Sequence, residues 1–202
     1  MSLADFGEGR SKVKATMKRS WEDLDGDILL SIYARLCVTD IILGASLCCS
    51  FWYKVSKEPS LWRDVDLSCF DFIEEKDVSP GPFIRLVVTR SQGSITSITF
   101  PLDASSDDLL VVAERCPGLR HFDIKNPSSY LMNNAALGTA ISKLKELEGM
   151  AIGDHFISDG FALENIIPFC PKFTKLKVYD MSWSTMWQIS RVMPQIDVLD
   201  IS

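Results

Sequence analysis

The nine residues 116–124, Cys-Pro-Gly-Leu-Arg-His-Phe-Asp-Ile, set apolar side chains at Leu119, Phe122 and Ile124. The same spacing returns at 170–178, Cys-Pro-Lys-Phe-Thr-Lys-Leu-Lys-Val, on Phe173, Leu176 and Val178. With any aliphatic residue or Met or Phe allowed, it also occurs at Ile95-Ile98-Phe100, Leu147-Met150-Ile152 and Ile196-Leu199-Ile201. Successive starts lie 24, 28, 26 and 23 residues apart, and Pro117, Pro171 and Pro194 each stand two positions ahead of one. Apolar positions two apart share one face of a strand. Between these strands the period turns helical. Ser106-Asp107-Asp108 opens a run carrying Leu109, Leu110, Val112 and Ala113, and Asn133 or Asn134 opens one through Leu137, Ala140 and Ile141. Ser158-Asp159 opens another through Phe161 and Ile166, stopped at Pro168, and Ser182 or Ser184 opens the last through Met186, Trp187, Ile189 and Val192. Ser, Asp and Asn satisfy the free N–H groups at a helix start, so each is a natural opening residue. Strand then helix, in repetition, predicts an α/β chain of parallel strands joined by helical returns.

The repeat length and pattern are those of leucine-rich repeats. The pairs Cys116-Pro117 and Cys170-Pro171 resemble the cysteine-containing kind. Residues 95–202 are therefore expected to form a right-handed leucine-rich-repeat solenoid with a parallel sheet, each repeat burying its ladder and helix stripe against its neighbours. Residues beside the ladder point to the concave side. That surface collects His121, Asp123, Lys125, Lys175, Lys177 and Tyr179, with Asp197 and Asp200, and is the expected seat of a target protein. Its mixed charge suits a protein partner better than a phosphate backbone. The unit at 196–201 leaves one sheet edge open, which invites association.

Ahead of the repeats, residues 20–67 read as short helices. Ser20 and Asp23 bracket a capping box before Leu24, and Ile28, Ile32 and Leu36 recur at helical spacing with Leu29 and Tyr33 one position on. Asp40 caps a short helix through Ile41–Leu43. A third helix runs from about Ala45 to Ser56, with Leu47, Cys48, Phe51, Trp52 and Val55 on one side. Glu58-Pro59 ends it, Ser60-Leu61-Trp62 makes one more turn, and Val65 and Leu67 alternate as a strand. Phe70–Pro82 reads as a connecting loop within an irregular first repeat at 68–94, with Phe83–Val88 helical. So few helices cannot cover all these apolar side chains alone; the surplus packs on the repeats or docks another protein's helices.

The anchors Trp21, Leu24, Asp27-Ile28-Leu29, Ile32, Leu36, Asp40-Ile41, Cys48, Trp52, Val55, Pro59, Leu61-Trp62 and Val65-Asp66-Leu67, in this order, resemble an F-box of the plant kind. Where the family has Leu-Pro, this chain has Leu24-Asp25. The resemblance implies a helical module that binds the Skp-type adaptor of SCF ubiquitin ligases, and through it a cullin. It places Leu24, Asp25, Ile28, Leu29, Ile32 and Leu36 at the adaptor and puts Trp52 and Trp62 in the core. The implied function is substrate recognition without catalysis; the competing reading is a repeat scaffold with no ligase role.

Composition agrees with that class. The chain has 202 residues, is 47% hydrophobic and carries a net charge of −6, enough apolar matter for a large core and a sign that points away from nucleic acid. Residues 1–19 hold Arg10, Lys12, Lys14, Lys18 and Arg19 and read as a solvated, disordered basic leader. Acids at Met1–Gly9 speak against a secretory signal, and no apolar run suits a bilayer, so nucleus or cytoplasm is expected. The six cysteines form no Cys-x-x-Cys pair and have no histidine at zinc-ligand spacing, so no metal or cofactor is expected and the thiols read as small buried groups. For an enzyme, only Asp154-His155 can be cited, an acid–histidine pair in a turn with no nucleophile motif beside it.

Overall fold

The structure is a computed structural model, and it describes residues 21, 24–72, 79–125, 134–157, 166 and 168–201. The basic leader, Ser20 and Asp23 of the expected capping box, and most of the helix expected from Ser158 lie outside the described residues.

Three short helices lead the chain: α1 (Gly26–Tyr33), α2 (Val38–Leu43) and α3 (Ser50–Val55), with 3-10 turns at Ala45–Leu47 and Pro59–Trp62. Their boundaries follow from local chemistry. Asp25 is the N-cap of α1, its carboxylate accepting from the Asp27 N–H at 2.9 Å. Asp40 does not cap α2; the N-cap is Cys37, and Asp40 lies in the first turn, where a negative charge meets the positive helix end. The helix expected to run unbroken from Ala45 to Ser56 is interrupted. Cys49 is extended, and its sulfur accepts from the Trp52 N–H at 3.5 Å, so that α3 starts afresh after it. Leu47 and Cys48, expected on the packed side, are exposed as a result.

Six strands follow: β1 (Asp64–Asp66), β2 (Ser97–Thr99), β3 (His121–Ile124), β4 (Gly149–Gly153), β5 (Lys175–Tyr179) and β6 (Val198–Ile201). They pair in chain order, all parallel, and Val65, Ile98, Phe122, Met150, Leu176 and Leu199 form one rung of the ladder. The returns include α4 (Gly81–Ser91), α5 (Ser106–Arg115), α6 (Asn134–Lys143) and α7 (Trp183–Val192). Among the described residues no helix is long and apolar enough to cross a membrane.

A repeated backbone device ties the units together. The carbonyl of Arg63 accepts from both Thr96 and Ser97, that of Thr96 from Arg120 and His121, and that of Arg120 from Glu148 and Gly149. Glu148 and Thr174 continue the series. One carbonyl at the bend before each of these strands thus accepts two N–H groups from the next repeat, which satisfies polar backbone that the stack covers. The cysteines preceding Pro117 and Pro171 sit at the same phase. Cys116 is buried with its sulfur 3.9 Å from Ser91 Oγ, and the buried Cys170 thiol donates to the Ile141 and Leu144 carbonyls at 3.6 and 3.5 Å. These thiols are hydrogen-bonding spacers as well as small apolar groups. Burial pushes the Cys170 pKa up to about 11.

Several local expectations are corrected. The cap of α5 is Ser105, one residue earlier than expected, in a reciprocal capping box with Asp108. The stretch from Phe70 is no simple loop: Ser68–Phe72 is a 3-10 turn, and α4 begins at Gly81 and runs to Ser91, ended by Gln92 and Gly93 at positive φ. α4 is the helix between β1 and β2. Pro168 does not stop its helix, since residues 168 and 169 are still helical. Leu199 and Ile201 on β6 are 41% and 54% exposed; among the described residues β6 pairs with β5 alone.

The front helices and the repeats share one apolar core, running from Leu29 to Met193. Trp62 is the hinge pin. It is 1% exposed, its Nε1–H donates to the Ser56 carbonyl at 3.0 Å, and the Arg90 guanidinium from α4 lies 5.4 Å from its ring centre. Ser94 and Thr96 add side-chain hydrogen bonds to the Pro59 and Arg63 carbonyls at 3.1 and 3.0 Å.

Candidate functional site

On α1 the apolar residues divide between two sides. Leu29 and Tyr33 are fully buried. Tyr33 donates to the Trp52 carbonyl at 3.1 Å and meets the Trp52 ring edge to face, with centroids 6.0 Å apart. Leu29 is therefore no adaptor contact; it belongs to the core. Ile28 and Ile32 lie away from Leu29 and Tyr33 on the helix, with Leu24 just before its start and Leu36 in the turn after its end. Ile28 is 53% and Leu36 37% exposed, while Leu24 and Ile32 are half-buried. Asp25 stands exposed at the helix start beside them. Leu43, Leu47 and Trp21 of the same module are exposed as well. Trp21 is held by its carbonyl, which accepts from Trp52 Nε1 at 3.2 Å. The outcome is an apolar face on a helix whose reverse side is fixed in the core.

Between the α1–α2 turn and the first strands lies a cavity of about 630 Å³, lined among others by Leu36, Val38, Ile41, Asp66, Cys69 and Thr99. Cys37 also borders it. Burial, a hydrogen bond to Cys69 and that thiol's charge push the Cys37 pKa up to about 11.

The second face is the open side of the sheet. A trough of about 360 Å³ crosses β2–β6, with His121, Asp123, Lys175, Lys177, Val198 and Asp200 among its walls. Its floor comes from β4, where Gly149 and Ala151 take the positions opposite His121 and Asp123, and Gly153 follows opposite Tyr179. The small residues are a close fit: a Cβ on Gly149 would come within 2.9 Å of Lys175 Cβ and 3.1 Å of His121 Cδ2. With β4 so low, Tyr179 on β5 reaches past it to β3, donating from its hydroxyl to Asp123 Oδ2 at 2.9 Å. Lys177 pairs with Asp200 at 3.2 Å and lies 5.1 Å from the Tyr179 ring centre. Asp123 Oδ1 is buried without a partner. Burial raises the Asp123 pKa against the lowering effects of Tyr179, Lys125 and Lys177.

The structure thus brings four of the six expected target residues, His121, Asp123, Lys175 and Lys177, to the trough, and Tyr179 joins them through its hydrogen bond to Asp123. Lys125 is exposed past the end of β3 and does not line the trough. Asp197 lies in the bend before β6, so Val198 and Asp200 are the trough residues there. Sequence reasoning missed the small floor of β4, although three positions without bulk at period two, Gly149, Ala151 and Gly153, are the signal that reveals it.

Asp154 and His155 are occupied elsewhere. Asp154 accepts from the Ser182 N–H at 3.1 Å and from its hydroxyl at 3.3 Å, anchoring the N-cap of α7. The His155 ring packs on Phe156 at 3.9 Å between centroids. Among the described residues no three His, Cys, Asp or Glu side chains gather as a metal site.

A capped helical module with an exposed apolar helix face, welded to a parallel strand–helix repeat, defines an F-box protein with leucine-rich repeats. Comparison with known proteins agrees. The F-box domain model matches residues 21–64. The chain is 29% identical over 175 residues to an F-box/LRR-repeat protein of Arabidopsis thaliana, covering 79% of this chain and 56% of that one. It is 25% identical over 168 residues to the putative F-box/LRR-repeat protein 23 of the same plant, covering 83% and 37%. A putative F-box protein from that plant is 30% identical over 178 residues, with 86% and 54% covered. Among solved structures, the leucine-rich-repeat-containing protein LegL7 of Legionella pneumophila matches with a TM-score of 0.51 at 12% identity, covering 88% of this chain and 69% of that one, a likeness of fold. The chain is an F-box/leucine-rich-repeat protein of the plant type. It spans about half the length of these relatives or less.

Proposed function

We propose that this chain is the substrate-recognition subunit of an SCF-type ubiquitin ligase, α1 docking a Skp-type adaptor and the open sheet face holding the target. The observation that carries the reading is the divided α1: Ile28 is 53% exposed, with Leu36 exposed in the turn that follows, while Leu29 and Tyr33 are fully buried. An exposed apolar stripe on a fixed helix is the form of surface that another protein's helices cover. The shared core supports the second half of the reading, because it fixes the docking helix relative to the trough. The chain does no chemistry in this scheme. A target held at one end and an adaptor–cullin assembly at the other raise the target's local concentration near the transfer site.

The test is co-expression with a plant Skp-type adaptor and size-exclusion chromatography of the product, beside the variant Ile28→Asp. A one-to-one complex with the unaltered chain and none with the folded variant is the expected result. A well-folded chain that fails to bind the adaptor overturns the ligase reading and leaves a repeat scaffold.

A further inference from the structure

We infer that Asp123 is the base of a subsite that takes one lysine or arginine side chain from an extended segment of the target. This inference rests on the reading that the repeats hold the target. It begins with an imbalance. One carboxylate oxygen of Asp123 is bonded to the Tyr179 hydroxyl, which fixes the group in place, and the other is buried with no partner. Buried acceptors are nearly always satisfied, and a lone carboxylate oxygen withdrawn from water is costly. Burial accordingly lifts its pKa, the direction expected of a carboxylate short of positive charge.

The chain's own cations do not meet the need. Lys177 is engaged by Asp200 at 3.2 Å and lies near the Tyr179 ring, and Lys125 is exposed beyond the strand end with no ion pair to Asp123. Lys175 lies on β5, one row away from Asp123. The β1–β3 side of the open face is acidic, with Asp64, Asp66 and Asp123, so the local charge favours a cation from outside. Asp123, Ala151 beside it in register and Gly149 two residues back all line the trough, so a turn of the Asp123 side chain toward that space opens the buried oxygen to an arriving cation. A long side chain with a charged tip suits such a cleft, because the aliphatic stem lies along the floor while the head reaches the acid. Ammonium and guanidinium groups both donate to carboxylates in short, charge-assisted bonds.

The test uses nine-residue peptide pools, end-blocked and randomised except at a fixed central Lys, Arg, acetyl-lysine, Gln or Glu, bound to the immobilised full chain. The Lys and Arg pools are expected to bind at least about tenfold more strongly than the acetyl-lysine and Gln pools, the scale of one charge-assisted hydrogen bond. The isosteric Asp123→Asn should erase that difference, and Ala151→Arg, which lays a cation into the cleft from within, should weaken the Lys and Arg pools most. Thermal unfolding confirms that both variants are folded. Equal binding of all pools, or a cation preference that survives Asp123→Asn, overturns the subsite while leaving the trough as a target site. No binding of any pool overturns the subsite and the target role of this face together.

Discussion

Replacing Trp62 tests whether the helical module and the repeats are one cooperative body. Trp62→Ala removes a side chain that is 1% exposed, and truncating a buried tryptophan costs about 3–5 kcal/mol. Ser56 is fully buried, so its carbonyl loses the Nε1–H at 3.0 Å and is left to find water, a penalty of about 1–3 kcal/mol. Arg90 also loses the ring 5.4 Å from its guanidinium, at about 0.5–1 kcal/mol for a partly exposed pair. These losses overlap, and about 5 kcal/mol is a fair total, comparable with the whole stability of a marginal domain. Trp62→Phe is the informative variant. It keeps most of the apolar volume and loses chiefly the hydrogen bond, so the expected cost is about 2 kcal/mol. At this chain length that lowers the melting temperature by about 4–8 °C. Urea unfolding followed by circular dichroism and by tryptophan fluorescence should give one coincident transition, shifted as a whole. If the fluorescence midpoint moved while the circular dichroism of the repeats held, the shared core would not be a cooperative unit, and the rigid link between the two faces would be lost.

Other perturbations have definite directions. Asp25→Ala should cost about 1 kcal/mol by removing the α1 cap, whereas Asp25→Pro should be nearly neutral in denaturation, since Asp25 has φ −63° and proline's gain of about 0.4–1 kcal/mol offsets the lost cap. Gly149→Ala should destabilise by about 1–3 kcal/mol, because the added carbon meets Lys175 Cβ and its carbonyl oxygen at 2.9 and 3.2 Å. Alkaline titration of stability should show a loss beginning near pH 9. Cys170 rises from 9.0 to about 11 and Tyr33 from 10.0 to about 12, so the unfolded chain releases these protons first. Their stabilisation is whole below the unfolded pKa values and gone above the folded ones. Cys37 rises to the same value, so Cys170→Ala should reduce the lower part of that loss without abolishing it. Asp123 has the same sign at lower pH: its raised pKa means the ionised form strains the fold, so Asp123→Asn should be stabilising at pH 7 and less so as acid protonates the wild-type carboxyl.

The sheet was legible because each rung demands a bulky apolar residue at one phase. Ile98, Phe122, Met150 and Leu176 are paired in the structure at the positions where the six-residue pattern puts them. The first repeat was obscured by Pro80-Gly81-Pro82. These residues read as a loop, yet proline at a helix start loses no hydrogen bond, and α4 begins there. The extended Cys49 broke the run from Ala45 to Ser56, whose periodicity alone looked continuous. On α1, apolar residues on both sides left the direction of burial open; in the structure Tyr33 packs against Trp52, and Leu29, one helical turn before it, joins the core. The unsatisfied Asp123 was beyond reach, since its partner Tyr179 is 56 residues away and on a strand two places over. That contact exists because β4 between them is small.

The most direct test of the account is calorimetric titration of a Skp-type adaptor into the chain and two single variants of matched apolar exposure. Ile28→Ala on α1 should weaken binding by about tenfold or more, as for an interface residue worth over 1.4 kcal/mol. Trp187→Ala, exposed on α7 at the far end of the repeats, should leave it unchanged. Equal affinities for all three proteins, or a loss on α7 instead of α1, would contradict the claim that the outward face of α1 is the adaptor-docking surface.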